Sequence, residues 1–220
     1  MPSSPARPAV SAAPPPWSSP GAVRRCPWWD AGTTCSRTWP RRSSTAEGLG
    51  RLDALVNNAG LMLLGPVPGA DLDGWRRMVD VNLMGLMYCA HAAAPHLVKA
   101  AAGDPRGVAD IVNIGSLAGR SAFGMSAVYC ATKFGVGAFT EALRQELASQ
   151  HVRVSVVEPG SVETELRFHN PAAVQEQLEA YLGDIERLQS QDIADAVGYI
   201  VSRPRHVAVA ELLIRPTEQV

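Results

Sequence analysis

The stretch DIVNIGSLAGRSAFGMSAVYCATK, residues 110–133, decides the fold. Its opening, Asp110–Gly115, is a short apolar run ending in glycine, which reads as a buried strand. Tyr129 begins a segment reaching Gln150 in which Val136, Phe139, Leu143 and Leu147 recur at helical spacing, while Glu141, Arg144 and Gln145 lie on the opposite face. A strand followed by an amphipathic helix is the repeating unit of a parallel sheet with crossover helices.

The same alternation continues on both sides. Upstream, Asp53–Asn57 (DALVN) reads as a short buried strand closed by the turn Asn58-Ala59-Gly60. A long helix follows from about Leu72 to Ala101, with Pro95 as the expected point of interruption. Downstream, Val152–Val157 (VRVSVV) is a third strand, ended by Pro159-Gly160. Residues Glu163 to Ser190 form a polar, partly helical excursion, Asp192–Ser202 reads as a helix, and Glu211–Ile214 as a last strand. Four strands with helices between them predict an α/β domain over residues 46–220, the second half of a Rossmann-like, doubly wound parallel sheet.

The first half of such a sheet is expected to be missing or replaced. Residues 1–45 hold nine of the 17 prolines and four of the five tryptophans, with one acid, Asp30, and no apolar period. They read as an irregular or disordered segment. A dinucleotide-binding fold opens with strand, glycine-rich turn and helix, so that backbone N–H groups meet the pyrophosphate. Gly21, Gly32, Gly48 and Gly50 follow no apolar strand and open no helix. The Asp53–Asn57 strand is then expected to be an apolar sheet edge.

Composition excludes several classes of function. A formal net charge of -1 and a pI near 6.5 provide no field to attract nucleic acid or an anionic membrane. Cys26, Cys35, Cys89 and Cys130 lack the paired spacing of a zinc or redox motif, and His91 and His96 are five apart rather than four. No metal is expected. With no long apolar run and no signal-peptide pattern, the expected location is the cytoplasm.

Chemistry concentrates at Tyr129, Lys133 and Ser116. Four positions apart on a helix, Tyr129 and Lys133 share a face. A free phenol titrates near about 10, too high for acid–base work at neutral pH, and an adjacent ammonium is expected to lower it. Ser116, at the end of the Asp110–Gly115 strand, could hydrogen-bond a substrate oxygen. A Tyr–Lys pair alone reads equally as a helix surface pair, and a lone serine there as a turn residue.

Taken together, Asn57-Asn58-Ala59-Gly60, Asn82, Ser116, Tyr129-Cys-Ala-Thr-Lys133 and Pro159-Gly160-Ser-Val162-Glu-Thr164 resemble the short-chain dehydrogenase/reductase family from about Gly48 onward. That resemblance implies Tyr129 as catalytic acid/base, Ser116 as carbonyl-orienting hydroxyl, and Lys133 also binding nicotinamide ribose hydroxyls. Asn82 would hold a water in the proton relay. Asn58, Ala59 and Gly60 would lie beside the adenosine half of the cofactor, and Pro159, Gly160, Val162 and Thr164 beside the nicotinamide. The segment from Leu166 to Ser190, with Arg167, His169 and Tyr181, would be a lid that sets substrate choice.

The resemblance further implies an NAD(P)-dependent oxidoreductase acting on a small carbonyl or alcohol, as a homodimer or homotetramer built on the two long helices. The ending from Arg205 through Ile214-Arg-Pro-Thr is similar to a bacterial subgroup that mostly uses NADP. The alternative implied by the absent phosphate turn is an inactive remnant that binds no dinucleotide; a binding module without chemistry is disfavoured by the intact Ser116, Tyr129 and Lys133. Out-of-phase back-translation of Thr33–Thr45 resembles the family helix before this strand, so the first 45 or so residues are expected to come from a shifted frame or misassigned start. Upstream frames lacking Thr-Gly-x-x-x-Gly-x-Gly text would overturn that expectation.

Overall fold

Four parallel strands pair in chain order: β1 (Ala54–Asn57), β2 (Ala109–Ile114), β3 (Val152–Pro159) and β4 (Glu211–Ile214). They belong to a computed structural model that describes residues 48, 50–103 and 105–219. The described residues fall in one compact unit within Pro40–Val220. The expectations for residues 1–45, for the phosphate-binding turn and for their coding frame lie outside the described residues.

Between the strands run helices α1 (Leu72–Val79), α2 (Leu86–Ala101), α3 (Ala127–Leu147), α4 (Ala172–Leu182) and α5 (Ser190–Val201). Strand register decides which side chains meet which helix. Leu55 stands beside Ile111, and Ile111 beside Val154. This face packs against Ala93, Leu97 and Ala101 of α2 and Leu147 of α3. One residue on, the side chains point the other way, so Val112 and Val157 meet Ala196 and Ile200 of α5. Each aliphatic side chain so buried contributes roughly 1.5–3 kcal/mol. Both faces being apolar explains why β2 and β3 read as continuous hydrophobic runs.

The expected break at Pro95 does not occur. Pro95 lies inside α2, where its fixed φ is close to the helical value and its missing donor removes one intrahelical hydrogen bond. Burial of Ala93, Leu97 and Ala101 on the sheet holds that stretch helical. The long helix is interrupted earlier instead, by a π-helical turn over Asp80–Gly85.

Two polar arrangements tie the sheet to its surroundings. Arg153, in the middle of an apolar strand, is buried and donates to Asp110 at 2.7 Å and to the carbonyls of Val201, Arg203, Pro204 and Val207. Asp110 also accepts from Arg106 at 2.8 Å. Each guanidinium nitrogen thus finds a partner, as burying the charge requires. Across the other face, Asn57 donates to Asn113 at 2.8 Å, and Asn113 to Thr140 at 2.9 Å.

Among the described residues β1 is an edge of the sheet. Val56 is 44% exposed, although Val112 beside it is wholly buried. No helix among the described residues is long and apolar enough to cross a membrane.

Candidate active site

Ser116 follows β2 directly and caps a short 3-10 turn, Leu117–Gly119, by accepting from the Ala118 N–H at 3.1 Å. Its own hydroxyl hydrogen is left to point elsewhere. Tyr129 sits in the first turn of α3, buried against Leu61, Met78, Ala118 and Cys130. The backbone of the Ser116 turn lies against α3 so closely that a Cβ on Gly119 would come 2.8 Å from the Lys133 carbonyl oxygen. Glycine is needed there for contact.

Lys133 lies one helical turn beyond Tyr129. Its Nζ is 5.9 Å from the Tyr129 ring centroid and donates to the Ile114 carbonyl, at the end of β2, at 2.9 Å. Burial pushes the ammonium down to about 8 from its usual 10.5. Burial also raises Tyr129, while a hydrogen bond with Ser116 pulls it back. The expectation of a phenol lowered by Lys133 therefore does not describe this site. Removing a phenolate from water costs more than the serine hydrogen bond returns.

Asn82 occupies the π-helical turn and is fully buried. Its Nδ2 donates to the Leu61 carbonyl at 2.8 Å and to Thr132 Oγ1 at 3.1 Å, and its Oδ1 accepts from the Leu61 N–H at 2.7 Å. Thr132 in turn donates to the Tyr129 carbonyl at 2.7 Å. A hydrogen-bonded path thus runs from the turn after β1 to the residues of α3. Gly60 lies between these groups: a Cβ there would come 3.7 Å from Asn82 Oδ1 and 4.0 Å from Lys133 Nζ. Of the other two residues in that turn, Asn58 and Ala59 are exposed.

Pro159 ends β3 buried, and Gly160, Val162 and Thr164 continue as a half-buried loop. The loop is held by a bridge from Val162 to Leu188, in which the Glu163 N–H donates to the Leu188 carbonyl at 2.8 Å and the Leu188 N–H to the Ser161 carbonyl at 3.1 Å. Beyond it, Glu163 and Glu179 accept from both Arg167 and Arg187. Tyr181 stacks on Phe123 with centroids 6.3 Å apart. His169 is exposed. The structure therefore brings Ser116, Tyr129, Lys133, Asn82 and Gly60 together, and sets the Pro159–Thr164 loop at the head of the segment containing Arg167 and Tyr181.

Two polar residues at the site were not singled out from sequence. Asn170 is buried, accepts from the Leu64 N–H at 2.7 Å and donates to the Met62 carbonyl at 2.9 Å, pinning the segment before α4 to the loop before α1. Its signal was the Asn170-Pro171 dipeptide, a turn mark before a helix. Arg120, just past the Ser116 turn, donates to buried Glu158 at 2.7 Å and also pairs with Glu211. Among the described residues, no three His, Cys, Asp or Glu gather as a metal site. A surface hollow of about 410 Å³ lined by Arg51, Leu52, His96 and Lys99 shares no residue with this cluster.

A family model described as short chain dehydrogenase matches residues 42–175. Sulfoacetaldehyde reductase 2 of Chromohalobacter salexigens is 40% identical over 175 residues, covering 79% of this chain and 67% of that protein. Dehydrogenase/reductase SDR family member 11 of Gallus gallus is 38% identical over 173 residues, covering 77% and 66%. The chain thus spans about two thirds of the length of these relatives. Among solved structures, the closed form of a serine dehydrogenase complexed with NADP+ superposes with a TM-score of 0.70 at 32% identity, covering 82% of this chain and 74% of that one. Acetoin dehydrogenase from Salmonella typhimurium gives 0.63 at 26% identity, covering 78% and 66%. With its parallel sheet, its crossover helices and a family match over more than half its length, this chain belongs to the short-chain dehydrogenase family.

Proposed function

We propose that this protein interconverts a small carbonyl compound and its alcohol with a nicotinamide dinucleotide, NADP in preference to NAD, using Tyr129 as acid/base. The observation that carries the reading is one cluster: the Tyr129 phenol buried against Leu61, Met78 and Ala118, Ser116 capping the turn that packs on α3, and the Lys133 Nζ 5.9 Å from the phenol's ring centroid. Binding of a nicotinamide dinucleotide is supported by the serine dehydrogenase neighbour, which is complexed with NADP+, and the choice of NADP rests on the likeness of the ending from Arg205 onward.

The residues present suit the nicotinamide half of such a cofactor. Lys133 has three N–H donors and gives one to Ile114, leaving two for ribose hydroxyls. Gly60 keeps the space beside Nζ and Asn82 clear of a side chain. Thr164 can donate to and accept from a carboxamide, with Val162, Pro159 and Gly160 forming the surface beneath it. Asn58 and Ala59 lie at the end of β1, where the adenosine half is assigned. When bound, the dinucleotide supplies or accepts the hydride.

The chain's own residues handle the proton. During reduction Ser116 donates a hydrogen bond to the carbonyl oxygen, and Tyr129, held protonated by burial, passes its proton to that oxygen. The Lys133 charge stabilises the phenolate left behind, and during oxidation that phenolate takes the proton back from the alcohol. Asn82 keeps one Oδ1 lone pair beyond its bond to Leu61, enough to hold a water that resupplies Tyr129. Burial around Tyr129 excludes bulk water from this step. The reading includes a homodimer or homotetramer on α2 and α3, where Tyr88 and Phe134 are exposed, and a cytoplasmic location.

A second reading, a chain that keeps the fold but binds no dinucleotide, is favoured by one sequence observation: in the text of residues 1–52, Gly21, Gly32, Gly48 and Gly50 follow no apolar run. A fluorescence titration with NADPH and NADH separates the two. Micromolar binding is expected on the first reading, and no binding at millimolar cofactor supports the second. Tyr129→Phe should then abolish turnover at nearly unchanged cofactor affinity; retained turnover removes Tyr129 from the mechanism.

A further inference from the structure

Gly160 has no room for a side chain, and what fills the room is the C-terminal turn. A Cβ at Gly160 would overlap Gln219 Oε1 and stand 3.1 Å from Pro216 Cδ. That carbonyl oxygen accepts the Ser161 N–H at 2.9 Å. The Gly160 N–H donates to Ile214 at 2.7 Å, and the turn closes on itself through the Gln219 N–H and the Pro216 carbonyl at 3.1 Å. Glu218 accepts from the Glu186 N–H at 3.3 Å, on the strand of chain that carries Leu188. Residues 160–163 are therefore held from two sides, by Leu188 on one and by Gln219 on the other.

We infer that Pro216–Gln219 is a clasp on the Pro159–Thr164 loop, and that Gln219 is a positioning residue for nicotinamide binding by that loop; the second part rests on the proposed dinucleotide chemistry. Without Gln219 the Ser161 N–H loses its acceptor, and the loop is fixed only through Ile214 at Gly160 and through Leu188. Three backbone bonds remain, so the loop loosens without the fold being lost. A loop that moves holds Thr164 less well over a carboxamide, which weakens cofactor binding more than it slows the chemical step. A side chain at Gly160 would thus have to displace the Gln219 amide that lies across it.

Amide hydrogen exchange on the full chain, read at Ser161, tests the clasp without any cofactor. Gln219→Ala should raise exchange at Ser161 about five- to tenfold, the worth of one hydrogen bond. Gln219→Glu should restore protection, since a carboxylate accepts the same bond, and Gly160→Ala should imitate Gln219→Ala by pushing the side chain aside. NADPH affinity should fall by a similar factor in Gln219→Ala and recover in Gln219→Glu. Equal Ser161 exchange in the wild type and Gln219→Ala overturns the clasp. Faster exchange with unchanged NADPH affinity overturns the positioning role. A wild type that shows the exchange effect but binds no NADPH overturns the positioning role too, by removing the dinucleotide reading beneath it.

Discussion

Asn82 and Leu61 exchange two hydrogen bonds across 21 residues of sequence: the amide nitrogen donates to the Leu61 carbonyl at 2.8 Å, and the amide oxygen accepts the Leu61 N–H at 2.7 Å. The side chain thereby acts as a strand would, satisfying both backbone groups of one residue. Asn82→Ala leaves these groups buried without partners and should cost about 2–5 kcal/mol. Urea denaturation measures it, and a loss below about 1 kcal/mol would show that water replaces the amide.

Lys133 should give stability an unusual pH dependence. Its folded-state value of about 8 lies below the 10.5 of an exposed lysine, so between these the unfolded chain binds the extra proton. Stability should rise as pH goes from about 8 towards 10, as the cost of burying the charge, roughly 3 kcal/mol at lower pH, is relieved. Above about 10 unfolded tyrosines ionise while buried Tyr129 keeps its proton, and stability should fall again. Lys133→Met should flatten the rise between 8 and 10 in denaturant midpoints taken across that range.

Arg120→Met should destabilise in a pH-dependent way. Burial already holds Glu158 above the usual carboxylate range, with Arg120 pulling it down against burial and Glu211 adding to the rise. An acid raised in the folded state gives stability that is lost as pH climbs through its folded value. Without Arg120 that loss deepens, so the deficit relative to wild type should be small near pH 4.5 and larger at pH 7. Urea melts at the two values check this, and an equal deficit at both would assign the effect to packing alone.

Gly119→Ala introduces a Cβ 2.8 Å from the Lys133 carbonyl, a backbone atom that cannot swing aside. The Ser116 turn must then lift away from α3. A cost of about 1–3 kcal/mol is expected, with kcat falling more than KM because Ser116 is displaced relative to Tyr129. Paired thermal melts and initial rates would reveal a purely structural role if stability dropped and kcat held.

The centre of the sheet was legible because β2 and β3 are buried on both faces, and β2 differs from its expected span by one residue at each end; β4, half-exposed, still runs over Glu211–Ile214 as expected. The Tyr129–Lys133 pair of the candidate site was legible because helical spacing sets the two residues on one face. The π-helical turn was not, since hydrophobic period records which face a residue occupies and not the register of backbone bonds. The burial of Arg153 in VRVSVV had no signal in the sequence, because only the tertiary fold brings Asp110 and four carbonyls around it. The direction of the Tyr129 shift was missed for a related reason. Spacing reveals a neighbouring cation, whereas burial depends on Leu61, Met78 and Ala118, which arrive from distant parts of the chain.

The wide turn at Asp80–Gly85 makes this part of the protein sensitive to counting as well as to chemistry. Each residue advances an α-helix by about 100°, so deleting one residue here would rotate α1 against α2 by that amount. Met78 would swing away from Tyr129, or Asn82 would leave Leu61, because one rigid rod cannot satisfy both. A single-codon deletion in this stretch should therefore be more damaging than most substitutions within it, even though every side chain named above would still be present.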